Sequence, residues 1–164
     1  MRSKVLIGLY ILYLLIPPVT IYNNIGSINN VVLQLKDLPT ATYTLVRLFA
    51  LYGISLLFTQ ILLGSNMIFF MKIFGPKILK FHIMEGIIAY VLILSHPILF
   101  AIYSVQTLGL QQEVFTVLIG FENDRQKYML LGKAGLLLLT VGIMAGILRE
   151  KIGSNWRMFH RVNY

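Results

Sequence analysis

The sequence predicts an all-α integral membrane protein: a helical bundle with four transmembrane helices plus the start of a fifth. Three observations carry this. The 164 residues are 57% hydrophobic and only 12% charged, and the mean hydropathy of +0.78 lies above that of ordinary soluble domains. The apolar residues fall into four long runs, each close to the ~20 residues that a helix needs to cross a bilayer. Most charges lie between those runs.

The first run is about Val5–Tyr22, behind Arg2 and Lys4. Its basic start is signal-peptide-like. Pro17, Pro18, Val19, Thr20 and Ile21 offer no clear small-residue cleavage site, so an uncleaved span is expected. Pro17-Pro18 should kink or end its helix near the outer end. The polar stretch Asn23–Thr42 follows, with Asn23, Asn24, Gly26, Asn29, Asn30 and Pro39 as turn formers. The second span is expected at about Tyr43–Met71, the third at Phe81–Val105 and the fourth at Tyr128–Leu148. After a short basic loop, Arg149–Ser154, the stretch Asn155–Tyr164 reads as the first turns of another helix. Trp156, His160 and Tyr164 then share one face. Ten residues cannot cross a bilayer, so either this helix lies on the membrane surface or the chain is the front part of a longer protein, the second being the favoured expectation.

Net charge is +8. In a soluble chain this would suggest nucleic acid. Here the basic residues flank the spans, no basic surface is left over, and no nucleic-acid partner is expected. Arg2, Lys4, Lys72, Lys77, Lys80, Arg149, Lys151, Arg157 and Arg161 fall on one side. Lys36, Arg47, Arg125, Lys127 and Lys133 fall on the other, diluted by Asp37, Glu113, Glu122 and Asp124. The excess puts the N-terminus in the cytoplasm, with the plasma (inner) membrane as the expected location. The chain has no cysteine, which excludes disulfides, thiolate metal sites, iron–sulfur clusters and thiolate-ligated haem.

Histidines are the chemistry-bearing feature. His82 and His96 lie fourteen residues apart within one apolar run. Fourteen helical steps of about 100° return a side chain to within roughly 40° of its first direction, after a rise of about 21 Å. One helix would thus present an imidazole near each surface. A span histidine is costly without a partner, and imidazole is a strong haem ligand. His160 enters from the same side as His82, so His82 and His160 form the expected inner haem pair. His96 would ligate an outer haem whose second ligand falls about four turns past His160, beyond Tyr164. The alternative is that each histidine only hydrogen-bonds a neighbouring helix.

From about Leu45 to Tyr164 these residues resemble the ferric reductase-like transmembrane domain family. The pieces are Arg47, Gly53, Leu62-Leu63-Gly64, Phe81-His82, Ser95-His96-Pro97, Leu131-Gly132-Lys133 and Trp156-Arg157-x-x-His160-Arg161-x-x-Tyr164. Ile83 and Lys133 stand where the family often has arginine. The resemblance implies residues 1–42 as a first span with its outer loop, and residues 43–164 as a haem-binding domain truncated before its last spans. It implies one or two haem b groups, with His82, His96 and His160 as iron ligands. Electron transfer across the membrane follows, from a flavin-containing donor to an extracytoplasmic acceptor. FAD or NAD(P)H would enter only through a missing domain or a partner. An alternative is a non-catalytic haem-binding subunit that feeds a partner redox enzyme. Another is a haem-free membrane interaction or transport protein.

Several side chains have two readings. Arg157 and Arg161 could pair with haem propionates or anchor the helix at the inner face; Arg47 and Lys133 could serve the outer haem or reach to the interface. Glu85, three residues past His82, could take a proton or bond an imidazole, but an interfacial glutamate without a role is the favoured reading. Gly142-x-x-x-Gly146 permits close approach of a helix or a macrocycle, helix packing being favoured. Met67, Met71 and Met144 fill apolar space rather than ligate iron. The outer loop Gln106–Gln126 carries no interpretable motif.

Overall fold

The computed structural model describes residues 2–109 and 124–161; of residues 124–126 and 161 only the backbone is described. Among the described residues every regular element is helical. Helices long and apolar enough to cross a membrane run through Arg2–Ile25, Leu38–Ser65, Lys77–Leu108 and Lys127–Ile147. The protein is an all-α membrane bundle. Only 6% of the residues in the most apolar stretch of Lys77–Leu108 are fully buried. The chain divides into two units, Met1–Gly109 and Leu110–Tyr164.

In the first unit the opening span is two helices, α1 (Arg2–Leu14) and α2 (Ile16–Ile25). Pro17 and Pro18 occupy the first turn of α2. Their missing N–H groups leave Tyr13 and Leu14 without the usual helical donors, so the break falls at Leu15. The prolines therefore kink the span, and it continues to Ile25. Pro17 itself is fully buried.

The stretch Asn23–Thr42 is more helical than its turn-forming residues suggest. Gly26, at φ 87°, closes α2. The Ser27 hydroxyl accepts from the Asn30 amide (3.2 Å) and starts α3 (Ile28–Lys36). Asp37 then caps α4 (Leu38–Ser65), accepting from the Thr40 amide at 3.1 Å and from the Thr40 hydroxyl. Pro39 sits in the first turn, where no intrahelical donor is lost. So α4 starts before the expected Tyr43, and it stops at Asn66 before α5 (Met67–Phe74).

The Thr40 bonds hold the exposed Asp37 carboxyl below its ordinary value. A depressed folded-state value means that the cap stabilises above the ordinary carboxylate range and is lost as pH falls through the lowered value. Amide exchange at Thr40, corrected for intrinsic rates, is expected to accelerate on acidification through that range. Asp37→Asn should flatten this response.

After Gly75, at φ 70°, α6 (Lys77–Leu108) runs unbroken through Pro97. It is antiparallel to α4: Val46 meets His96, Gly53 meets Ile93 and Gln60 meets Glu85. Pro97 has no N–H for the Ile93 carbonyl, yet the helix is held by packing on α4. At Gly53 the two backbones come close, since a Cβ there would lie 2.7 Å from Ile93 Cγ1 and 3.4 Å from Ile93 N.

In the second unit α7 (Asp124–Ile147) is followed by α8 (Arg149–Ile152), a 3-10 turn (Gly153–Asn155) and α9 (Trp156–Arg161). The expected basic loop at Arg149–Ser154 is thus largely helical. The turn brings α9 back against the C-terminal half of α7.

Candidate functional site

His82 and His96 share α6 and are both half-buried. The fourteen-residue relation expected on a single helix therefore holds, with about 21 Å of rise between them. His96 Nδ1 lies 3.0 Å from the carbonyl oxygen of Val46 on α4. A backbone carbonyl only accepts, so Nδ1 carries the proton and the lone pair of the neutral ring is on Nε2. His82 Nδ1 is shielded from solvent.

His160 belongs to the second unit, where its Nδ1 lies 3.0 Å from the Gly142 carbonyl oxygen. The same reasoning places its proton on Nδ1. Gly146 is one turn further along α7, and a Cβ there would stand 3.6 Å from His160 Nδ1, in ordinary contact. The Gly142-x-x-x-Gly146 face thus receives the His160 ring. Trp156 packs at 5.7 Å from that ring, as expected for residues four apart. Tyr164, the third member of that face, lies outside the described residues. Arg157 is exposed, with its guanidinium 5.9 Å from the centre of the Trp156 ring. The Arg161 side chain lies outside the described residues, as does most of the loop Gln106–Gln126. Arg47 stands 5.9 Å over the Tyr43 ring. Among the described residues no group of three or more His, Asp or Glu side chains converges on a metal-sized point.

The most concentrated polar chemistry surrounds a residue expected to lie idle at the interface. Glu85 is 3% exposed. It lies eight residues into α6, about 12 Å from the helix start. Its Oε1 accepts from the Tyr10 hydroxyl of α1 at 2.7 Å and meets the Thr59 hydroxyl of α4 at 2.6 Å. Its Oε2 accepts from the Gln60 amide. Gly86 makes room for this amide, because a Cβ there would come within 2.9 Å of Gln60 Oε1. Thr59 and Gln60 are themselves buried. Beside the cluster is an apolar groove of about 270 Å³ that includes Tyr10, Tyr52, Phe81 and Met84. Three helices are thus joined through one carboxyl inside a span. The clue in the sequence was a polar pair, Thr59-Gln60, inside an apolar run that must find partners in lipid.

No family model, curated protein or solved structure matches the chain, so its function is argued from these side chains.

Proposed function

We propose that this chain is a haem b-binding membrane protein that carries electrons across the plasma (inner) membrane, with its N-terminus in the cytoplasm. The observation that supports it most is the state of His96. Its proton is committed to the Val46 carbonyl, so the ring offers Nε2 as a base. Histidines that ligate iron or other metals usually have this second bond, which fixes the tautomer and the ring orientation. The donor set suits haem: imidazoles on apolar helices, with His82 and His96 about 21 Å apart along one of them. His82 and His160 would hold an inner group, and His96 one side of an outer group. Arg157 and Arg161 would meet propionates at the inner face. Haem b, when bound, supplies a one-electron ferric–ferrous couple whose potential follows from its axial ligands and burial. A flavin-containing donor inside and an acceptor outside complete the reading. Whether the chain reduces the acceptor itself or serves a partner enzyme depends on that partner.

A second reading is favoured by the same two hydrogen bonds. His96 to Val46 and His160 to Gly142 each tie one helix to another, which a haem-free scaffold would also use, at about 0.6 kcal/mol per bond in lipid. Reduced-minus-oxidised absorption spectra separate the two. Protein expressed with ample porphyrin should show b-type bands, and His82→Ala and His96→Ala should each lose haem. A colourless wild type rejects the proposal. Full haem content in His96→Ala, with only a small loss of stability, assigns His96 to the scaffold.

A further inference from the structure

We infer that the cleft between the start of α1 and α5 binds one anionic glycerophospholipid from the leaflet in which α1 begins.

The path of the chain brings the walls of this cleft together. Tyr10 of α1 bonds Glu85, which meets Thr59 of α4, and Tyr13 bonds the Ser55 carbonyl. Later residues of α1 thus meet earlier residues of α4, so the two helices run in opposite directions. The start of α1 is then level with the end of α4, and α1 meets α5 there. Because α5 joins two membrane-crossing helices, α4 and α6, it is held at that membrane surface. None of its residues is fully buried, and Ile68 and Phe69 are 70% and 54% exposed. On an interfacial helix such side chains enter the boundary between headgroups and acyl chains.

Arg2 and Ser3 of α1 and Phe69, Lys72 and Ile73 of α5 line one open cleft of about 570 Å³. Two exposed cations thus share it with an aromatic and an aliphatic side chain. The first unit has only two acidic residues, Asp37 and Glu85. Asp37 caps the far end of α4, about 40 Å from α5. Glu85 is enclosed by Tyr10, Thr59 and Gln60. No carboxylate of this unit is left to neutralise Arg2 and Lys72. A guanidinium matches a phosphate as a bidentate fork, and an ammonium adds a point charge. Phe69 and Ile73, one turn apart, offer carbon to the first part of an acyl chain. A soluble anion would use the cations alone, and an uncharged lipid the apolar wall alone. A glycerophospholipid of net negative charge uses both.

Native mass spectrometry of the full chain in detergent, with equimolar phosphatidylglycerol and phosphatidylcholine, tests this without reference to haem. A basic residue near an anionic membrane surface is worth about fivefold in binding, so Arg2→Gln with Lys72→Gln should lower the ratio of phosphatidylglycerol to phosphatidylcholine adducts on the order of 25-fold. Lys77 and Lys80 lie near the start of α6, outside the lining of the cleft. Replacing both with glutamine removes the same charge and should change the ratio far less. Equal losses in the two pairs overturn the site, because the charge then acts diffusely, and so does an unchanged ratio in the first pair. Excess inorganic phosphate should leave the lipid adduct in place; its displacement assigns the cleft to a soluble anion and rejects the lipid. If the Arg2–Lys72 pair of changes prevents folding, Lys72→Gln alone decides: a loss of about fivefold supports the site, and no loss rejects it.

Discussion

Replacing Gly53 with valine is expected to separate α4 from α6, costing about 1–3 kcal/mol from overpacking. The first added atom would lie 2.7 Å from Ile93 Cγ1 and 3.4 Å from the Ile93 backbone nitrogen. The backbone nitrogen is at ordinary contact distance, whereas the Cγ1 contact must give way, and a β-branched side chain on a helix has little χ1 freedom to do so. Alanine is the milder case. It recovers up to about 1 kcal/mol of helix propensity relative to glycine, so the net cost should be small. The decisive measurement is a double-mutant cycle in mild detergent. Gly53→Val combined with Ile93→Ala, which removes the Cγ1 atom in the way, should cost less than the sum of the two single changes. Additive effects would mean that this approach does not limit the packing. The same change should disturb the His96–Val46 bond two turns away, because both depend on one register between the helices.

That register explains what was legible in the sequence. The four spans were legible because length and apolarity alone define them. Their ends were not. Pro17-Pro18 read as a kink or an end; it kinks the span at Leu15, and the helix resumes with the prolines in its first turn and runs on to Ile25, past the expected Tyr22. Asn29 and Asn30 read as turn formers but lie on α3, behind the Ser27 cap. The two histidines of α6 were legible as a spacing on one helix. The partner of His96 was not, because which carbonyl of α4 faces it depends on how Gly53 seats against Ile93. Gly142-x-x-x-Gly146 was legible as a face for close approach, but not the His160 ring that occupies it. Glu85 was misjudged for a definable reason. With the span taken to begin at Phe81, the glutamate is one turn from the lipid headgroups. The helix begins at Lys77, which carries Glu85 a turn deeper, to the level of Thr59 and Gln60.

Replacing Glu85 with alanine is expected to cost about 3 kcal/mol, and with glutamine less than about 1 kcal/mol. Alanine strands two donors, the Tyr10 hydroxyl and the Gln60 amide, inside the span. An unmade bond of this kind costs about 1–3 kcal/mol, though single interhelical bonds in lipid average nearer 0.6 kcal/mol. The larger figure applies here because the two donors lose one common partner. Glutamine keeps the shape: with its oxygen toward Gln60, its nitrogen takes the Oε1 position and can donate one hydrogen to Thr59 and the other to the Tyr10 hydroxyl oxygen. Unfolding in mixed micelles would measure both. Tyr10→Phe supplies the check on cause: in the alanine background it should cost almost nothing, because the hydroxyl already lacks its acceptor. If glutamine proves as harmful as alanine, both carboxyl oxygens are needed as acceptors to hold α1, α4 and α6 together. If both are harmless, the three bonds contribute little and the span is held by apolar packing alone.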